Sequence, residues 1–343
     1  MVRVPESASN SPGDRLGFDA LNAALKAAGE ETRLRVLALL SEAELTVSDL
    51  TDILRQSQPR ISRHLKLLAE AGLVERFREG TWAFFRLAES GGGAAIARAL
   101  LDHLDPADQT VARDRARLAS VRQARAAAAQ AYFRAHAAEW DRIRKLHVAD
   151  EAVEAAIRAA LADKPFRSLL DLGTGTGRML ELFGPDIERG LGLDLSLDML
   201  HLARHRLERA GLKNCSVRQG DIYDLPLAND AFDVVILHQV LHFLDDGGRA
   251  IHEAARVLRP GGRLLVVDFA PHEEEFLREQ FAHRRLGFAP ETVTQWMKAC
   301  GLEPVMHKRL TPEPGSGVKI AVSLWLARDA RALMVTPATR EVA

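Results

Sequence analysis

Leu169–Leu180, LLDLGTGTGRML, decides how the rest of the chain is read. An apolar run, Ser168-Leu169-Leu170-Asp171-Leu172, leads into alternating glycines at 173, 175 and 177. Met179, Leu180, Leu182 and Phe183 then follow at helical spacing. Buried strand, tight glycine turn and helix are the opening of a nucleotide-binding βαβ unit. The glycines let the backbone turn sharply and come close to a ligand. Asp171, just ahead of them, would repel a pyrophosphate but not a cationic amino-acid moiety.

Outward from this stretch, strands and helices alternate. Strands are expected at 190–194, 215–219, 232–238, 263–269, 303–310 and 318–326, with helices at 197–210, about 248–258 and 290–300. Arg259-Pro260-Gly261-Gly262 reads as a turn. Such alternation predicts a parallel sheet covered by helices, with ligands at the carboxyl ends of its strands. The last two strands are joined directly, so one is expected antiparallel. The first strand ends at Asp171 and the glycines. The second ends at Asp194, placed to accept both hydroxyls of a ribose. After the third come Gly220, Asp221 and Ile222, where Asp221 is suited to an exocyclic adenine amine. The fourth ends in His238-Gln239.

Five segments in this order, "LLDLGTGTGR", "GLDLSLDML", "GDIYDLPL", "FDVVILHQVLHFL" and "VLRPGGRLLVVDF", resemble the class I S-adenosylmethionine (SAM)-dependent methyltransferases over about residues 132–327. A NAD-type fingerprint is the rival, and it usually lacks counterparts of Asp171 and Gly220-Asp221. The resemblance implies a Rossmann-like seven-stranded fold and SAM or S-adenosylhomocysteine as ligand. It implies that Asp171 and Gly173 hold the methionine amino group, with Thr174, Gly175 and Gly177 completing the turn. Asp194 would take the ribose, Leu195 and Met199 would flank the adenine, and Gly220, Asp221 and Ile222 would fix its edge. The His238 backbone would face the methionine end, and Tyr132 would close the pocket from a preceding helix.

Methyl transfer is an in-line attack on a sulfonium methyl, so the protein mainly positions and desolvates. A base matters only when the nucleophile must lose a proton. His238 and His242 are the catalytic candidates, with Gln239 beside them. Residues 271–289, PHEEEFLREQFAHRRLGFA, form an insertion where this family often builds an acceptor cap, and it contains His272, His283, Arg284 and Arg285. Amino-methylating DNA enzymes carry an Asn/Asp-Pro-Pro-aromatic motif where this chain has His238-Gln239-Val240-Leu241. Arsenite methyltransferases hold arsenic with several thiolates, and the two cysteines here, Cys215 and Cys300, are far apart. The core most resembles ubiquinone/menaquinone-type small-molecule methyltransferases.

The first hundred residues read differently. Helices are expected over Phe18–Gly29 and Thr32–Leu40, then one opening at Thr46, whose hydroxyl and Asp49 have capping-box spacing. The next, within QSQPRISRHLKLLAEAGLV (56–74), starts at Ser57 with Pro59 in its first turn and is closed by Gly72. Ile61, Leu65 and Leu68 face inward, while Gln58, Arg60, Ser62, Arg63, His64 and Lys66 project outward. Val74–Leu87, VERFREGTWAFFRL, is strand, Glu79-Gly80 turn, strand. From Arg55 to Arg86 there are seven Lys/Arg (55, 60, 63, 66, 76, 78, 86) against three Glu (70, 75, 79). A cationic helix beside a cationic hairpin suits a DNA groove and its phosphates. A winged helix used only for protein contacts is the competing reading.

"SQPRISRHLKLLAEAGLVERFREGTWAFFRL" resembles the recognition helix and wing of the ArsR/SmtB winged-helix repressors, and the resemblance covers about residues 18–104. That implies DNA contacts from Ser57, Gln58, Arg60, Ser62, Arg63, His64, Lys66, Arg76, Arg78 and Trp82. It also implies a homodimer on a pseudo-palindromic double-stranded operator, with Phe18–Gly29 and Ala94–Leu104 as dimer helices. Metal sensors of this family place two thiolates where Thr46 and Ser48 stand, and after His103 the next histidine is His136. Hydroxyls are poor soft-metal ligands, so no metal is expected.

Asp105-Pro106-Ala107-Asp108 reads as a helix start, and an Ala- and Arg-rich run continues to about Ala131 with its cations as a solvated face. The expected organisation is thus multi-domain: a disordered arm (1–17), an α+β winged helix-turn-helix (18–104), a long helical connector (105–131), an α/β methyltransferase-like domain (132–328) and a tail (329–343). The chain has 343 residues and a net charge of -1, so any nucleic-acid surface must be local. Separated cysteines fit free thiols in a reducing cytoplasm. No run reaches a membrane span, and the N-terminus lacks a signal-peptide core. These features point to a DNA-binding regulator whose methyltransferase-like domain binds SAM or S-adenosylhomocysteine and tunes operator affinity. The alternative is an active methyltransferase of a small-molecule acceptor that carries a DNA-binding module.

Overall fold

The computed structural model describes residues 15–79, 81–136, 150–312 and 320–331. Most of the expected arm and tail lies outside these residues, as do Gly80 of the hairpin turn and the first two residues expected of the last strand. The chain divides into two compact units, Met1–Ala126 and Ala127–Ala343.

The first unit contains α1 (Phe18–Ala28), α2 (Glu31–Leu40), β1 (Leu45–Thr46), α3 (Val47–Leu54), α4 (Gln58–Glu70), β2 (Val74–Glu79), β3 (Trp82–Leu87) and α5 (Gly91–Asp102). β3 lies between β1 and β2, antiparallel to both. Thr46 and Asp49 form the expected reciprocal capping box at the start of α3. Arg55 ends that helix in the left-handed region (φ 54), turning the chain into α4. Leu37, Leu50, Ile53, Ile61, Leu65 and Leu68 are fully buried between the helices. Each such side chain contributes roughly 1.5–3 kcal/mol, so this apolar set holds the two helices of the turn in place. α5 starts three residues before Ala94 and includes the preceding glycines. Gly93 is required there, because a Cβ would lie 2.1 Å from the Gly72 carbonyl oxygen.

The long helix α6 (Gln109–His136) departs most from expectation. It runs unbroken through the anticipated boundary at 131/132. It begins after Asp108, whose carboxylate accepts the Thr110 and Val111 amides, while Asp105 accepts the Ala107 amide in the preceding turn. Its cations are not a merely solvated face. Asp114, 3% exposed, takes both arms of the Arg35 guanidinium at 2.6 and 2.8 Å. Arg117 donates to the Ile53 carbonyl (3.1 Å), Arg122 to the Glu42 carbonyl (2.8 Å), and Arg115 pairs with Glu42. Arg125 pairs with Asp49, the carboxylate that caps α3. Spacing within one helix carries no information about a carbonyl 64 or 80 residues away, which is why these partners were not foreseen.

The second unit contains α7 (Asp150–Leu161), β4 (Ser168–Leu172), α8 (Arg178–Phe183), β5 (Arg189–Asp194), α9 (Leu197–Arg209), β6 (Cys215–Gln219), β7 (Phe232–His238), α10 (Gly247–Arg256), β8 (Leu258–Phe269), α11 (Phe276–Phe281), α12 (Pro290–Ala299), β9 (Leu302–Leu310) and β10 (Val322–Asp329). The strands build one seven-stranded sheet, β6-β5-β4-β7-β8-β10-β9. β6, β5, β4, β7 and β8 run parallel, and β10 is antiparallel to both its neighbours. Strands buried on both faces explain the near-continuous apolar runs. Leu169, Leu265, Val267, Leu324 and Leu326 enter one core; Leu170, Leu172, Leu264, Val266 and Trp325 enter the other. β10 starts and ends later than expected, and β8 begins earlier. Phe232 pairs with Leu258 and Val234 with Arg263, so Arg259–Gly262 bulges from within the strand. Strand order reverses between β4 and β7, which is where open α/β sheets place their ligands.

Candidate functional site

In the first unit, α4 and its cap present Ser57, Gln58, Arg60, Ser62, Arg63 and Lys66 on the exposed side. Ser57 occupies the cap position without using its hydroxyl for the cap. On the hairpin, Arg76 and Arg78 are exposed on one face of β2, and Trp82 is exposed at the start of β3. Two expectations need correction. His64 does not project outward: it is half-buried, 3.5 Å from the Glu30 carboxylate, because its position on α4 turns it toward the start of α2. Burial holds its pKa below the ordinary value, against the pull of Glu30. Arg86 is not part of the cationic surface. It pairs with Glu44, Glu75 and Glu89 and lies over the Phe77 ring. The remaining cations, Arg55, Arg60, Arg63, Lys66, Arg76 and Arg78, are exposed, the arrangement that meets phosphates.

In the second unit, three acids stand at the carboxyl ends of β4, β5 and β6. Asp171, 2% exposed, lies near the end of β4 and accepts from the Thr174 hydroxyl at 2.6 Å. The amides of Gly173 and Thr174 donate to the Leu193 carbonyl at 2.8 and 2.9 Å, which lays the glycine turn against the end of β5. Gly173 (φ 69) and Gly177 (φ 81) need glycine for this turn, and a Cβ at 173 would sit 2.3 Å from Val240 Cγ2. Asp194 then takes the Gly175 and Ser196 amides, each at 2.8 Å. Burial raises its pKa, and the amides of Ser196, Gly175 and Leu195 oppose that rise. The Gly220 amide donates to the Asp194 carbonyl (3.1 Å), bringing Asp221 alongside. Asp221 is exposed and its carboxylate takes the Tyr223 amide, while Ile222 is buried. Leu195 is exposed beside Asp194. Met199 is buried in the first turn of α9, so of the two expected adenine contacts only Leu195 presents surface.

This arrangement fits the expected ligand. A carboxylate has about four acceptor positions, and the amides around Asp194 do not fill them all, so it can still accept from a ligand hydroxyl. A desolvated carboxylate whose pKa burial raises is one that further donors would stabilise. The exposed Leu195 beside it gives an apolar base a surface.

Across the switch point, His238 is half-buried at the end of β7, followed by Gln239 in the left-handed region (φ 56). His242 lies in a single turn, Leu241–Phe243, and is 2% exposed. Its Nδ1 is 2.8 Å from Asp268 Oδ1. Tyr132, on α6, is half-buried, with its ring 6.3 Å from that of Phe281, and burial pushes its hydroxyl up to about 12. Two residues on, Arg134 pairs with Asp198 in the first turn of α9 at 3.5 Å.

Two family models match the chain: the bacterial regulatory protein, arsR family, over residues 30–76, and a methyltransferase domain over residues 170–266. The chain thus carries one segment similar to the arsR-family regulators and a second similar to methyltransferase domains. The first match runs from the cap of α2 into β2; the second runs from β4 into β8. An uncharacterized methyltransferase YcgJ of Bacillus subtilis is 32% identical over 115 residues, covering 34% of this chain and 46% of the relative. An arsenite methyltransferase of Halobacterium salinarum is 33% identical over 115 residues, covering 32% of this chain and 29% of the relative. The chain thus spans less than half the length of these two curated relatives. The crystal structure of the Bacillus YcgJ protein aligns with 52% of this chain and 98% of its own, at 19% identity and a TM-score of 0.44.

Within the second unit, two residues escape the sequence reading. Asp268 is fully buried, and the signal for it was an acid inside the apolar run RLLVVDF, the same signal that marked Asp171 in SLLDL. Arg178 forms a bridge to Glu154 on α7 (2.7 Å) and Glu181 (2.6 Å), bracing the helix that follows the glycine turn. No helix among the described residues is long and apolar enough to cross a membrane, and no cluster of three or more His, Cys, Asp or Glu among them is suited to a metal ion.

Proposed function

We propose that this chain is a DNA-binding transcriptional regulator whose methyltransferase domain binds SAM or S-adenosylhomocysteine and thereby tunes operator affinity. The observation that carries this reading is α6. Within the first unit, its early turns are fastened to both ends of α3: Arg125 to the capping carboxylate, Arg117 to the last-turn carbonyl of Ile53. Within the second unit, its last turns place Tyr132 against Phe281 and Arg134 against Asp198. Ser196 caps α9, and Asp198 lies in the first turn of that helix, just past Asp194 and Leu195. The early turns belong to the first unit and the last turns to the second.

The exposed cations of α4 and the wing support operator binding. A helix α1 with Phe18 (82% exposed), Leu21 and Leu25 along one side supports a homodimer, because an apolar stripe of this kind favours burial against a second copy. The test is an operator titration by fluorescence anisotropy, with no ligand, with SAM and with S-adenosylhomocysteine. A coupling of about 1–3 kcal/mol gives a roughly 5- to 150-fold change in operator affinity for at least one ligand. Equal affinities in all three conditions refute the reading.

A second reading, catalysis on a small-molecule acceptor, is favoured by the buried His242–Asp268 pair at the ends of β7 and β8. SAM, when bound, supplies an electrophilic methyl group. Asp171 and the glycine turn would orient its amino-acid end, and Asp194 its ribose. The two readings are compatible in one protein.

A further inference from the structure

Three histidines meet around Phe269, which ends β8. The His242 ring is 4.6 Å from that of Phe269 and 4.2 Å from that of His283. His283 stacks on Phe269 at 5.5 Å, and His272 meets its edge at 5.9 Å. Asp268, 0% exposed, faces His242 Nδ1 at 2.8 Å and also accepts the His242 amide at 3.3 Å. With Nδ1–H donating a hydrogen bond to this carboxylate, the imidazole keeps its lone pair on Nε2. His272 has the opposite arrangement. Its Nδ1 accepts the Glu274 amide (3.2 Å), which leaves the proton on Nε2, a buried atom with no hydrogen-bond partner among the described residues. A buried donor of this kind calls for an acceptor. The segment carrying His242 also lies against the glycine loop, since Val240 fills the space beside Gly173.

We propose that these histidines form the methyl-acceptor subsite, with His242 as general base oriented by Asp268 and His272 Nε2–H as donor to an acceptor oxygen. This rests on the catalytic reading above. The acceptor class is a small planar molecule with vicinal hydroxyls, one for His242 Nε2 and the other for His272 Nε2–H. One hydroxyl gives its proton to His242 Nε2, and its oxygen forms the new bond to the methyl carbon. The sulfur–methyl bond breaks and its electron pair stays on sulfur. The proton then passes from His242 to water. The charged groups around the cluster are Asp268 on β8, Glu275 and Arg278 at α11, and Arg284 and Arg285, whose amides donate to the His242 carbonyl at 2.8 and 3.0 Å. Arg284 is itself paired with Asp245.

The test uses the full chain with SAM and catechol, with aniline as an amine control, and follows S-adenosylhomocysteine formation while calorimetry measures SAM affinity. Expected are turnover of catechol, a roughly 100-fold or greater fall in kcat for His242→Gln, and unchanged SAM affinity. Asp268→Asn should lower kcat and move the acidic limb of the pH profile. His272→Ala should raise KM for catechol about tenfold, the loss of one hydrogen bond, with partial recovery in His272→Asn. His272→Ala also serves if His242→Gln does not fold. A chain that binds SAM but turns over no catechol overturns this proposal and leaves the regulatory reading standing. So does turnover of aniline alone, or His242→Gln and His272→Ala both behaving as the wild type. A chain that binds neither SAM nor S-adenosylhomocysteine refutes both this proposal and the reading it rests on.

Discussion

The face of α4 carries its charge on long side chains, and the carboxyl edge of the seven-stranded sheet carries its charge on short ones. Arg60, Arg63 and Lys66 are exposed and adjustable, suited to a polyanion whose phosphates repeat. Asp171 and Asp194 are held by a hydroxyl and by backbone amides, so they can meet only a ligand of matching shape. The two faces should therefore fail in different ways. A surface built from repeated, independent contacts loses affinity in steps. A site built from a few fixed acceptors loses it nearly at once, because removing one leaves its partners unsatisfied.

The largest effect is expected at Asp194. Asp194→Ala should weaken SAM binding about 100-fold or more by calorimetry, since two charge-assisted hydrogen bonds of about 1.5–3 kcal/mol each are lost. Affinity held within about threefold, under 1 kcal/mol, would mean that the ribose lies elsewhere. On the other face, Arg60→Ala and Arg63→Ala should each weaken operator binding by about tenfold and lower the salt slope by about one, provided each meets a phosphate. A single substitution there that abolishes binding would erase the distinction. Arg125→Ala comes next: the Asp49 carboxylate keeps its cap on α3 but loses its cation, and thermal unfolding of the first unit should shift down by a few degrees.

The smallest effect concerns pH. Burial, then the nearby charges of His242 and Arg278, lower His272 to about 4 from the ordinary 6.5. The unfolded chain takes up this proton below about 6.5 and the folded chain only near 4, so stability falls as pH drops across that window and is fully present above it. His272→Asn should flatten this part of the stability curve measured by denaturant titration, and an unchanged curve would assign the pH dependence to other groups.

Much of the fold and of the candidate site is readable from local pattern. The glycine turn, the acids at strand ends, the capping box of Thr46 and Asp49 and the apolar face of α4 all follow from spacing within one element. What the pattern hides depends on distant partners. His64 has the spacing of an outward residue but meets Glu30. Arg86 reads as a wing cation but is held by three glutamates. The arginines of α6 read as solvated, and only the fold brings them to Asp49, Glu42 and Ile53. The His242–Asp268 pair joins the ends of two neighbouring strands, 26 positions apart in sequence. Strand order, not spacing, makes that pair.

If the ligand cleft and the operator face are coupled, linkage makes the coupling reciprocal. The measurement to make is a calorimetric titration of SAM and of S-adenosylhomocysteine into the free protein and into its operator complex. Coupling requires that the affinity of at least one ligand differ between the two by the same factor by which that ligand changes operator affinity. Identical ligand affinities in the free and the operator-bound protein would show that the two faces are independent.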